Sequence, residues 1–352
     1  HVARWVAVHM TAIAWCGYLL LFEGILTKLA WRRGEARGSC VRRRPWLFVV
    51  TYLTSVVVWC YWDWVNFYFI DAWDYWGLAE SWVDRYVSYF LAFAAISPGM
   101  FLAAQVYQRL GLRRLRVEQG RAAERTAWVG LWIVAAITFG PTIGVIACQS
   151  LAVADWPKHL ALYPLLLIVP IALAWRTRRL AWPAMAMGAL MVVWPFLVRS
   201  PLSNFLLWVG PWLLLDPINA WAGRPSLLGD WRGGRWGRTL ALMAGGLTCG
   251  FCWEFWNYWA VAKWTYHLPF LGALEQYRYF EMPLVGLIGF LPFGLGAGPF
   301  DLGAAGHGSG AGGLELDQCV FHFLNHQLDQ FFRILGLFEH GIEVGADDVP
   351  EA

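Results

Sequence analysis

Apolar runs of about 17 to 25 residues, the length that carries a helix across a hydrocarbon core of roughly 30 Å, recur along most of this 352-residue chain. Lipid offers no partner for backbone N–H and C=O groups, so such runs must satisfy those groups within themselves as helices. The runs lie near 2–26, 46–70, 88–107, 127–149, 159–175, 181–198, 202–221, 239–261 and 279–300. The pattern predicts an all-α fold: a polytopic membrane helical bundle of about nine transmembrane helices. Composition agrees, with 59% hydrophobic and only 14% charged residues, where a soluble domain carries roughly 25% charged. No charged leader with a cleavage site can be read ahead of the first run.

The cations are confined to alternate loops. Lys28 to Arg44, Arg109 to Arg125, Arg176 to Arg179 and Arg224 to Arg238 together hold 20 of the 27 Lys and Arg. The intervening loops carry Asp71, Asp74, Glu80, Asp84 and Asp155 instead. Basic loops stay in the cytoplasm, so the expected placement is a multi-pass protein of the inner (plasma) membrane with its N-terminus outside. A net charge of +3, spent on orientation, gives no reason to expect a nucleic-acid partner.

One pattern occurs twice. Trp62-Asp63 is followed by Asn66, Trp73 and Tyr75, and Trp253-Glu254 by Asn257, Trp264 and Tyr266. In both copies Asn lies three residues after the acid, Trp ten and Tyr twelve, and the copies are offset by 191 residues. A weaker echo one run earlier relates Leu20–Ile25, with Glu23, to Leu213–Ile218, with Asp216; one run later, Pro98 and Pro292 occupy comparable positions. The chain therefore divides into a first three-helix unit (1–107), a central three-helix segment (108–201), a second three-helix unit (202–300) and a Gly-rich linker and tail (301–352). Both units run in the same direction by the charge rule, which makes the repeat parallel. Residues 321–344 of the tail read either as an amphipathic helix at the membrane surface or as an out-of-frame extension.

Acid and Asn at i, i+3 share a helix face, flanked by Trp62, Trp64, Trp253 and Trp256. Each acid lies about seven residues before the outer end of its span, roughly 10 Å below the interface. A carboxylate facing lipid there costs about 2.5–3.5 kcal/mol on insertion scales. Asp63, Asn66, Glu254 and Asn257 are thus expected to point into the bundle and share one polar cavity. A purely structural role, fastening helices, is the competing expectation. Trp73, Tyr75, Trp264 and Tyr266 fall past the span ends, where an aromatic belt is common. Glu281 is expected to open the ninth helix, either as a favourable N-terminal charge or as a third carboxylate facing the site.

On Trp62-Asp63 with Trp73-x-Tyr75, and less closely on Trp253-Glu254 with Trp264-x-Tyr266, the chain resembles the membrane lycopene cyclases. The resemblance covers about 60 residues in each half and none of the middle three helices. It implies a tandem-repeat fold and cofactor-independent, acid-catalysed cyclisation or isomerisation of an isoprenoid or carotenoid-like lipid, with Asp63 and Glu254 as the acids. Asn66, Asn257, Trp62, Trp253, Trp73, Tyr75, Trp264, Tyr266 and Glu281 would surround the substrate. The proline-led helices of that family bear adjacent carboxylates, whereas Pro98-Gly99-Met100-Phe101 and Pro292-Phe293-Gly294-Leu295 have none. The stretches Trp253–Asn257 and Phe280–Pro283 are also similar to bacterial integral membrane proteins of unknown function.

Other constellations are weaker. Cys249-Gly-Phe-Cys252 lies in a span, where small residues usually serve packing, and Cys16, Cys40, Cys60, Cys148 and Cys319 offer it no partner pair. His9, His159, His267, His307, His322, His326 and His340 form no HxxxH or HExxH pair on a span, so no metal is expected. Two functions stay open. One is a membrane enzyme in which a buried acid protonates an alkene and aromatic faces stabilise the cation. The other is a transporter or assembly partner in which the paired acids bind a proton or cation, or simply pack helices. Membrane lipid is the expected partner in both.

Overall fold

A computed structural model of the chain describes residues 2–35, 39, 41, 45–116, 181–197, 201–223, 225–267 and 275–296. The expected spans near 127–149 and 159–175, the tail 301–352, Asp155, Cys40, Cys148, Cys319, His159, His307, His322, His326 and His340 lie outside the described residues. The fold is mostly helical. Short α1 (Val2–Val8) leads into α2 (Met10–Trp31), then α3 (Pro45–Val65) with a π-helical turn Asn66–Ile70, strand β1 (Trp73–Trp76) and α4 (Trp82–Leu110). From residue 181 on come α5 (Ala181–Leu197), which belongs to the central segment, then α6 (Asn204–Trp221), α7 (Leu227–Arg232), α8 (Gly237–Trp259) and β2 (Lys263–Tyr266). Strands β3 (Arg278–Tyr279) and β4 (Met282–Pro283) precede α9 (Leu284–Leu287) and α10 (Phe290–Gly296).

Met10–Trp31, Phe48–Ile70 and Trp82–Leu110 are long and apolar enough to cross a membrane, which identifies a membrane protein. Helix α8 has 23 residues and therefore spanning length, but its Gly, Thr and Trp content makes it less apolar. Two boundaries differ from those expected. The first apolar run breaks at His9, so its long helix starts at Met10 and extends to Trp31. The run near 279–300 is not one helix. It begins as a β-hairpin and is helical only over Leu284–Leu287 and Phe290–Gly296, where Pro283, Gly286, Gly289 and Pro292 interrupt the pattern.

Helix α4 is the centre of the bundle, packed by α2, α3 and α8. Its face of Ala92, Ala95, Gly99, Ala103 and Ala104 lets neighbouring backbones approach closely. A Cβ built on Gly245 of α8 would lie 2.8 Å from the Met100 carbonyl oxygen and 2.9 Å from the Ala104 nitrogen of α4. Gly99 is met by the Tyr18 and Trp15 rings of α2. Next to Pro98 a side chain from α3 reaches into α4: Ser55 Oγ donates to the Phe93 carbonyl and accepts from the Ser97 N–H at 3.1 Å.

The loops sort by charge. At one end Arg109 pairs with Glu35 at 3.0 Å, and Arg116 forms an isolated bridge with Arg235. Gly237 sits against the backbone of Leu112. The described parts of the basic loops after α2, after α4 and before α8 therefore gather at this end. At the other end Arg4 faces Glu80, the Val261 N–H donates to the Ala7 carbonyl, and β1 pairs with β2.

Candidate functional site

The two motifs lie at the end opposite the basic loops, where β1 and β2 form an antiparallel ribbon. Its register pairs Trp73 with Tyr266, Asp74 with Thr265 and Tyr75 with Trp264. Exchanging the two motifs leaves this register unchanged, because Trp73 corresponds to Trp264 and Tyr75 to Tyr266. Trp15 of α2 packs on Trp253 of α8 with ring centroids 6.0 Å apart, and Trp208 of α6 packs on Trp62 of α3 at 4.2 Å. Trp208 stands 193 residues after Trp15, so these contacts also exchange under the repeat.

Each acid reaches across to its own strand. Asp63 Oδ1 accepts from the Trp73 indole N–H at 3.1 Å and the Tyr75 hydroxyl at 2.9 Å. In the second copy Tyr266 donates to Glu254 Oε1 at 2.6 Å, and the Trp264 indole donates to the Tyr266 oxygen at 2.7 Å. The extra methylene of glutamate accompanies this change from a converging pair to a chain. Asp63 is 8% exposed and Glu254 fully buried, so neither faces lipid. Burial, followed by the adjacent acid, pushes the Tyr75 and Tyr266 phenols well above their ordinary value of 10.0. They remain hydrogen-bond donors at any physiological pH.

Both asparagine amides are engaged with backbone further along the chain. Asn66 Nδ2 donates to the Trp73 carbonyl at 2.7 Å, and its Oδ1 accepts from the N–H groups of Ala72 at 2.8 Å and Trp73 at 3.2 Å. Asn257 repeats this with Trp264: Nδ2 donates to its carbonyl and Oδ1 accepts from its N–H, both at 2.9 Å. The amides act as turn clasps that hold each strand start onto the end of its helix. The first turn tightens further, because the Asp71 N–H bonds the Asn66 carbonyl at 2.8 Å and Asp71 takes a left-handed φ of 56°. π-Helical turns of this kind are rare and concentrate at functional sites.

Glu281 does not open a helix. It lies with Phe280, whose φ is 55°, in the two-residue turn between β3 and β4. Its carboxylate accepts from Lys263 Nζ at 2.9 Å, so it neutralises a cation beside β2. Asp216, the acid of the weaker echo, is also structural. Fully buried, it accepts from the N–H groups of Leu227 and Leu228 at 2.8 and 2.9 Å and so anchors the start of α7.

An aromatic-walled cavity opens beside the first motif, with about 630 Å³ of empty space including its mouth. Tyr75, Tyr89, Trp15, Trp253 and Trp264 contribute walls, while none of Asp63, Asn66, Glu254 and Asn257 lines it. The expectation of one polar cavity shared by those four residues therefore does not describe this space: the amides are spent on backbone, and Asp63 touches the cavity only through Tyr75. Trp62 faces the other way, toward Trp208 and Phe293. Arg85, Ser88 and His9 also line the cavity. Sequence reasoning missed them, although Arg85 is the one cation in an otherwise acidic stretch from Asp71 to Asp84 and beyond. Among the described residues, Glu254 Oε2 and the Trp253 indole nitrogen are buried without a hydrogen-bond partner. Leaving such groups unpaired is costly and marks a place worth explaining.

Compared with known proteins, the chain matches no family model, no curated protein and no solved structure.

Proposed function

We propose that this chain is a multi-pass protein of the plasma membrane with about nine spans, built on two duplicated three-helix units, 1–107 and 202–300. Its outer cavity binds an isoprenoid or similar apolar lipid, on which Asp63 acts through Tyr75. The observation that carries this reading is the Tyr75 phenol, which lines the cavity and is hydrogen-bonded to Asp63 at 2.9 Å. A protonated Asp63 would pass its proton to the Tyr75 oxygen as Tyr75 passes its own to an alkene carbon. The resulting carbocation faces aromatic rings, which stabilise cations through their π-faces. Loss of a proton back along the same path completes a cyclisation or isomerisation with no co-reactant, as the resemblance to lycopene cyclases implies. The exchangeable register of β1 and β2 supports the duplication.

A second reading has its own support. Glu254, Asn257, Trp264 and Tyr266 keep the same clasp, yet Tyr266 does not line this cavity. A clasp retained where its tyrosine does not line this cavity is what a non-catalytic transporter or assembly partner would need to hold its repeats together. Organic extraction of the purified protein followed by mass spectrometry separates the two. A bound polyene or prenyl lipid near one per chain is expected, and recovery of bulk phospholipid alone would remove the lipid-site reading.

The orientation follows from the clustering of basic loops at one end and predicts an external N-terminus. Single cysteines at positions 35, 80 and 230, placed in a chain lacking its seven native cysteines, should react with an impermeant maleimide in intact cells at position 80 only. Labelling at 35 or 230 would reverse the topology.

A further inference from the structure

Resting on the lipid-site reading, we propose that the ligand of the outer cavity is a single-chain amphiphile with an anionic head group, carboxylate or phosphate, seated against Arg85. One face of α4 runs through the cavity wall as Arg85, Ser88 and Tyr89, then Ala92, Phe93 and Ile96. These positions follow helical spacing, so they form a single stripe, polar at the mouth and apolar at depth. From Arg85 to Ile96 the stripe is about 16 Å long at 1.5 Å per residue, which sets the length of tail that it can cover.

Arg85 is half-buried, and its Nε and Nη2 both donate to the Ala79 carbonyl, at 3.0 and 2.9 Å. That grip fixes the guanidinium at the mouth but supplies no negative charge. At the same end Arg4 faces Glu80, Lys263 faces Glu281 and Arg278 faces Glu275. Among the described residues, no carboxylate lies within ion-pair distance of Arg85. A partly desolvated cation beside an apolar cavity, held in place yet unneutralised, is complementary to an anion arriving with an apolar tail. Guanidinium suits carboxylate and phosphate alike because its planar donors match both. His9, hydrogen-bonded to Ser88 across the cavity wall, adds hydrogen-bonding capacity beside the same head group. A neutral hydrocarbon would leave the guanidinium without a counter-charge.

The test uses the full chain in neutral phosphatidylcholine nanodiscs, with binding measured against empty nanodiscs. The probes are radiolabelled laurate and farnesyl phosphate, with lauryl alcohol as the neutral analogue and inorganic phosphate as competitor. Both anionic amphiphiles should bind saturably and at least about ten-fold more tightly than the alcohol, the value of one charge-assisted hydrogen bond. Inorganic phosphate should not displace them, which distinguishes a lipid head group from a free-anion site. Arg85→Gln should remove the preference for acid over alcohol, and Arg85→Lys should restore part of it. Equal binding of laurate and lauryl alcohol by the native chain would overturn the proposal whether or not Arg85→Gln folds. Ala92→Trp, which fills the apolar part, tests the underlying reading. If it leaves all amphiphile binding intact, the cavity is not the lipid site; if it abolishes binding while charge has no effect, the lipid reading survives and the anionic head group does not.

Discussion

Replacing Asn66 by leucine should lower the unfolding temperature in detergent by on the order of 10 °C, and the same change at Asn257 should cost less. The ranking follows from counting bonds. Asn66 holds the Trp73 carbonyl and two backbone N–H groups, while Asn257 holds one carbonyl and one N–H of Trp264. Leucine matches asparagine in branching but offers neither donor nor acceptor, so the backbone groups stay buried and unpaired. Each orphaned group costs about 1–3 kcal/mol, so the three at Asn66 imply a loss of at least roughly 3 kcal/mol, among the large values for a single substitution. Asn66→Asp should be milder, since it retains the oxygen that accepts from Ala72 and Trp73 and loses only the donor to the Trp73 carbonyl. Thermal unfolding of the three variants, followed by circular dichroism, checks both size and order. An Asn257→Leu protein less stable than Asn66→Leu would mean that the amides are not acting as turn clasps.

The spacing of the motif was readable before the fold, but its bonding was not. Helical periodicity places Asn one turn from the acid, on the same face and so in one shared cavity. The structure sends them to different partners, because α3 loosens into a π-turn at Asn66 and the chain doubles back at once. The amide then meets the backbone seven residues ahead, and the acid meets side chains ten and twelve ahead. Strands of four residues, Trp73–Trp76 and Lys263–Tyr266, carry too few alternations to be seen as strands, and their aromatics look like an interfacial belt. Pairing between residues nearly 200 apart leaves no local trace beyond the repeat itself. The ninth run illustrates the opposite error. Its apolar content looks like a span, yet Pro283 cannot donate a backbone hydrogen bond, and Phe280-Glu281 closes a hairpin that pairs Tyr279 with Met282. The cavity residues escaped because His9, at the junction of α1 and α2, lies nearly 80 residues before Arg85 and Ser88 of α4, and no spacing rule joins them.

Under the proposed relay, Asp63→Asn should reduce conversion of the bound lipid by at least about 100-fold, the lower end of what a positioned general acid contributes, and should leave folding close to native. The amide keeps an oxygen where Oδ1 accepts from Trp73 and Tyr75, so the local geometry can persist while the exchangeable acid proton is lost. Glu254→Gln should behave differently. Its oxygen can still accept from Tyr266, and neither residue lines the cavity, so conversion should fall by less than about ten-fold, below what a general acid supplies. Tyr75→Phe distinguishes relay from scaffold. It removes the hydroxyl that joins Asp63 to the cavity and preserves the ring that lines it. Under the relay it should match Asp63→Asn in lost conversion, with lipid still bound. Under the clasp reading no variant or native chain converts lipid, and Tyr75→Phe should only lose stability, because Asp63 would keep only the Trp73 indole as a donor. Measuring melting temperature, bound lipid and converted lipid on the same three variants separates these outcomes. Equal loss of conversion in Asp63→Asn and Glu254→Gln would place the chemistry in both repeats and end the case for a single cavity-facing acid.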